Sequence, residues 1–171
     1  MIAHRMNKLA SALVSAIVVG TLIAVPAASA QDKGKVDLTG VPQPVMEALN
    51  VKFPKAEIQQ WTKEHEDGIV IYDIEMLQEG RKFEADIKED GGIHNWEREI
   101  AASDLPEAVA KAVDQAYPKA TLKEIMAVTA VENGVDELEG YEIVLDTADK
   151  KEVELTVAPD GTILEDSTDA K

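Results

Sequence analysis

Apolar positions along this chain follow two rhythms that alternate. After Pro42 they fall at Val45, Leu49 and Phe53, and after Pro106 at Val109, Val113 and Tyr117, the three-to-four spacing of a helix with one buried face. Gly40 and Asp104 stand where caps belong, Pro42 and Pro106 fit a first turn, and Pro54 and Pro118 forbid continuation. The period then drops to two. Val70, Tyr72, Ile74 and Met76 alternate with Ile71, Asp73 and Glu75, and Phe83, Ala85 and Ile87 alternate with charged residues. Val153, Leu155 and Val157 repeat the pattern further on. Gly80, Asp90-Gly91, Asn133-Gly134 and Asp160-Gly161 mark turns. With a first strand near 57–63 or 121–131, the pattern predicts a helix and then up to four antiparallel strands, twice. The fold class is α+β, with helices packed on one face of a largely antiparallel sheet.

The two stretches are similar residue by residue. Val41-Pro42 leads to Phe53-Pro54-Lys55-Ala56, and Leu105-Pro106 leads, at the same spacing, to Tyr117-Pro118-Lys119-Ala120. Tyr72-Asp73-Ile74 matches Tyr141-Glu142-Ile143, and Asp90-Gly91-Gly92-Ile93 matches Asp160-Gly161-Thr162-Ile163. The offset grows across the acidic stretch Glu132–Glu139, which therefore reads as an inserted loop. Two units, 41–100 and 105–166, follow a linker at 31–40 and precede a tail at 167–171.

These motifs resemble the PepSY-like repeat of peptidase propeptides and exported bacterial proteins. Their tandem arrangement is similar to the beta-lactamase inhibitor protein architecture, in which two units join their sheets. The resemblance implies binding or peptidase inhibition in the cell envelope and carries no catalytic residues.

Residues 1–30 read as an export signal: Arg5 and Lys8, an uncharged apolar run from Leu9 to Val25, then Ala28-Ser29-Ala30. Cleavage there leaves a chain beginning at Gln31, periplasmic or secreted, with no membrane attachment. The 171 residues carry 17 basic and 33 acidic side chains, a net charge of -16, which argues against nucleic acid as a partner. With no cysteine, disulfides and thiolate chemistry are excluded.

Candidate chemistry is sparse. Asp86, Asp90, Gly91, Ile93 and Glu97 fit positions of a calcium loop, but Lys88 puts an ammonium where a ligand belongs, and Thr156 and Ser167 replace the end ligands in the second unit. A plain turn is the better reading, with weak cation binding left to the acidic surface as a whole. His65 lacks a paired histidine, and Ser103 and Ser167 lack a nucleophile elbow. No catalytic residue, metal site or cofactor is expected, and the protein does not read as an enzyme.

The tryptophans carry the functional expectation. Trp61 lies three residues after the core-facing Ile58, and Trp96 three after Ile93, so strict alternation points both away from the helices. Ile71 and His94 share that parity. Trp61, Ile71, His94 and Trp96 would then form an apolar patch on the open sheet face, rimmed by Asp73, Glu75, Glu84 and Asp86, as protein-binding surfaces are built. A bulge would reverse the phase. The reading is an exported, non-enzymatic binding module, an inhibitor of an exported peptidase or other hydrolase. The alternative is an acidic envelope protein that buffers or senses divalent cations.

Overall fold

The computed structural model describes residues 36–66 and 68–168. The export signal, the first half of the linker and the end of the tail lie outside these residues. Helix α1 spans Gln43–Lys52 and is followed by strands β1 (Glu57–Glu66), β2 (Ile69–Gln78), β3 (Arg81–Lys88) and β4 (Ile93–Glu99). After a 3-10 turn at Ala102–Asp104 come α2 (Glu107–Ala116), β5 (Thr121–Glu132), β6 (Val135–Asp146), β7 (Glu152–Val157) and β8 (Ile163–Asp166). The helix-then-four-strands order thus occurs twice. All eight strands form one antiparallel sheet in chain order, β1 to β8, and β4 joins β5 from Asn95 opposite Ala130 to Glu99 opposite Met126.

The helices start later than the candidate caps suggest. Pro42 and Pro106 themselves occupy the N-cap positions, without a side-chain cap. Each helix ends as the prolines require: Phe53 N–H donates to Leu49 O at 2.7 Å and Tyr117 N–H to Val113 O at 2.8 Å before Pro54 and Pro118.

One sheet face carries the core in two clusters. In the first, Val45, Leu49 and Phe53 pack on Tyr72, Ile74, Met76, Ala85 and Ile87. In the second, Val109 and Val113 pack on Ile125, Tyr141, Ile143, Leu145, Val153, Leu155 and Val157. The period-two residues are therefore the inward face of the strands, as their alternation predicts.

The two Asp-Gly turns lie beneath the helix N-termini. Gly91 has φ +89° and Gly161 φ +88°, and a Cβ at either would lie 2.7 Å from Pro44 O or 2.6 Å from Ala108 O. Glycine is required there twice over, for the left-handed backbone and for the close approach. In each turn an aspartate closes the loop: Gly92 N–H donates to Asp90 Oδ1 and Thr162 N–H to Asp160 Oδ1, both at 2.9 Å.

The expected acidic loop Glu132–Glu139 is instead a hairpin. Only Asn133 (φ 53°) and Gly134 (φ 77°) turn, the two-residue connection that matches strand twist. Beyond them Val135 to Leu138 pair with Thr129 to Glu132. The extra residues lengthen two strands, and Asp136 at the tip forms an ion pair with Lys52 of α1.

Candidate functional site

The expected face of the tryptophans is corrected by the sheet register. On β1, Ile58 stands opposite Met76 and Gln60 opposite Glu75, so Gln59 is an extra residue. On β4, Ile93 stands opposite Ile87 and Asn95 opposite Asp86, so His94 is extra. Each bulge restores Trp61 or Trp96 to the helix side. Trp61 Nε1 donates to Asp37 O at 2.8 Å, and its ring lies against Gly40. Trp96 packs on Phe53 and Phe83, with ring centroids 6.0 and 6.4 Å away. His94 is exposed at its bulge. Of the four expected residues, only Ile71 lies on the side away from the helices, and it is buried rather than exposed. One signal for this was available: Leu122 and Ile125, the counterparts of Ile58 and Trp61, are both apolar, which strict alternation does not allow.

The open face is a field of carboxylates. Cross-strand partners point to the same side of a sheet, so Glu75, Glu84, Glu97 and Val128 form one row across β2–β5. Asp73, Asp86, Asn95 and Ala130 form the next row. Glu99 begins a third, continued by Met126, Glu142, Thr156 and Glu165. Neighbours in a row are ~5 Å apart and rows ~7 Å apart. Carboxyl groups therefore oppose each other directly at Asp73–Asp86, Glu75–Glu84 and Glu84–Glu97, an arrangement that destabilises a sheet wherever both are ionised.

Lys82 relieves part of this repulsion. Its Nζ lies 2.6 Å from Glu84 Oε1 and 2.8 Å from Glu124 Oε1. Although its partial burial opposes the charge, these two carboxylates hold the ammonium above the usual lysine range. Glu97 has no such help. It is only 4% exposed, and burial, reinforced by Glu142, Glu84, Asp86 and Asp73, pushes its carboxyl up to about 9. Burial and then Asp86 raise Asp73 to about 7, and burial and then Glu154 raise Glu142 to about 7. Strand alternation puts Asp73, Glu75, Glu84 and Asp86 on the rim of a patch. Glu97, in the middle one of the three rows, did not stand out, because nothing in a list of glutamates distinguishes it.

Among the described residues no group of His, Asp and Glu is set to hold a metal ion, and no helix is long and apolar enough to cross a membrane. The Asp90–Gly91 segment is a turn against α1, as the plain-turn reading has it. Ser103 lies exposed in the 3-10 turn.

The fold and face together define an α+β protein that covers one side of a long antiparallel sheet and leaves the other side open and acidic. The profile of the family described as "Putative beta-lactamase-inhibitor-like, PepSY-like" matches residues 29–95 and 72–165, and the chain belongs to this family. No curated protein matches it in sequence. Among solved structures, a BLIP-like protein from Bacteroides fragilis shares 20% identity over 74% of this chain and 85% of its own, with a TM-score of 0.55. A protein from Bacteroides eggerthii described as "putative periplasmic" shares 14% identity over 74% of this chain and 88% of its own, with a TM-score of 0.58. At these identities the likeness is one of fold.

Proposed function

We propose that the protein is an exported, non-enzymatic binding module that takes a protein partner onto the open face of its sheet, as an inhibitor of an exported peptidase or other hydrolase. The observation that carries this reading is the set of carboxyl groups opposed across neighbouring strands on a face that neither helix covers. A fold under selection for stability alone would not keep such pairs, whereas a partner can compensate them. Family membership and the fold it shares with the Bacteroides BLIP-like protein support the same reading. Residues 41–100 and 105–166 would be two PepSY-like repeats whose sheets join at β4 and β5. Cleavage after Ala30 would release the chain to the periplasm or exterior.

Site-specific photocrosslinking in the producing cell tests this directly. A photoreactive residue at Gln60 or Thr156, on the open face, should trap a partner, and one at Lys111 on α2 should not. Adducts from Lys111 alone would move the binding surface to the helix side. A second reading follows from the raised carboxyls: the face would buffer or sense divalent cations. Calcium titration monitored by tryptophan fluorescence separates the two, since a sensor saturates at micromolar calcium and a binder gives a shallow response that monovalent salt screens.

A further inference from the structure

We propose that the partner segment received by the open face is cationic, with a lysine or arginine head seated against the carboxyl of Glu97. This rests on the reading of the face as a binding surface and names the chemistry of what it binds. Among the described residues, no hydrogen bond or ion pair reaches the Glu97 carboxyl, although the side chain is 96% removed from solvent. It is not wholly sealed, because the polar side-chain atom that is buried and unpartnered throughout the described residues is Trp96 Nε1. The carboxyl of Glu97 therefore keeps a small residual contact with solvent.

The surroundings fit a long cationic side chain better than a compact ion. Val128 stands directly opposite Glu97 on β5, Met126 is two residues along, and both are buried. An apolar flank of this kind suits the methylene stem of lysine or arginine, while the head meets the carboxylate. The groups facing Glu97 are acidic on every adjoining element that supplies a titratable one: Glu84 and Asp86 from β3, Asp73 from β2 and Glu142 from β6. Glu99 and Asn95 flank it on β4 itself. The nearby cation of the face, Lys82, is already held by Glu84 and Glu124. The carboxylates are spread over strands at the spacing of the sheet, and no cluster of them is set to hold a metal.

Seating an ammonium or guanidinium there has a proton signature. Burial keeps Glu97 protonated near neutral pH. An arriving cation favours the ionised form, so the carboxyl O–H bond breaks, the proton leaves to buffer, and a carboxylate–cation pair remains.

The test is calorimetry of the mature chain with a peptide of eight arginines at pH 7.5 and about 0.15 M salt, a condition that screens diffuse attraction. Measurement in phosphate and in Tris gives the protons exchanged. Wild type should release about one proton per peptide bound, as linkage requires of a group that ionises on binding. Glu97→Gln should bind about tenfold more weakly, ~1.4 kcal/mol, and lose most of that release. Glu107→Gln, on α2, should change affinity less than about twofold, because screened surface charges couple weakly. A melt recorded by circular dichroism checks folding, and Asp73→Asn serves as a second variant with a smaller effect in the same direction.

Wild-type affinity and proton release in Glu97→Gln would overturn the proposal. So would equal weakening by Glu107→Gln, which means attraction to net charge alone, or micromolar calcium that saturates the face and displaces the peptide. If photocrosslinking traps a partner on the face through a segment without lysine or arginine, the binding reading stands and the cationic partner falls.

Discussion

At the scale of single residues, Glu97 makes stability depend on pH in an unusual direction. A carboxyl raised by burial binds its proton more tightly in the folded than in the unfolded chain. Its contribution is therefore fully present below the ordinary glutamate value of 4.5 and is lost as pH rises through about 9. Asp73 and Glu142 act in the same sense, with folded values of about 7. The thermal midpoint should fall steadily between pH 5 and pH 9, and Glu97→Gln should flatten that fall and raise the midpoint at pH 9. A midpoint that rises over this range in wild type would mean that these carboxyls are solvated. The tryptophans supply a second expectation at this scale. Packed with Phe53, Phe83 and Tyr72, they belong to the core side, so Trp61→Ala combined with Trp96→Ala should destabilise the fold as Phe53→Ala does. Truncating a buried aromatic costs ~3–5 kcal/mol, and chemical denaturation would measure it. Their inward orientation was hidden because side-chain parity survives only while the register advances one residue on each strand, and it shifts at Gln59 and at His94.

At the scale of elements, helix stops, the alternating strands and the Asp-Gly turns were legible, since proline, glycine and period-two patterning act locally. The hairpin from β5 to β6 was not, because Val135 to Leu138 look like an acidic loop until Thr129 to Glu132 pair with them. The turns beneath the helices are the sensitive points. In Gly91→Ala the new methyl would meet Pro44 O at 2.7 Å in a backbone of φ +89°. Left-handed strain alone costs ~1–3 kcal/mol, and the contact adds to it, so the midpoint should fall by several degrees. Gly134 is also left-handed but has open space around it. Gly134→Ala should therefore cost less than Gly91→Ala, a ranking that paired denaturation curves can check.

At the scale of the whole molecule, the net charge of -16 is partly concentrated on one sheet face, where repulsion is not diluted over the surface. Added monovalent salt should raise the midpoint at pH 9, where the face is ionised, and change it much less at pH 5, where its raised carboxyls are protonated. Equal salt effects at both values would assign the repulsion to the exposed acidic residues instead. The sheet as a continuous body was beyond the sequence, because nothing local specifies that Asn95 to Glu99 should pair with residues beyond α2.

The strand order β1 to β8 also governs how the molecule is assembled in time. Seven pairings join strands that are neighbours in sequence, and six of them close across short turns, the inexpensive contacts of a rapidly formed chain. The pairing of β4 with β5 alone must first close over the segment that contains α2, a loop whose entropy is lost before any contact compensates it. Each set of four consecutive strands is expected to form before β4 meets β5, with that pairing as the slow event. Substitutions along Asn95–Glu99 or Met126–Ala130 should retard folding, whereas those in the outer hairpins should mainly hasten unfolding.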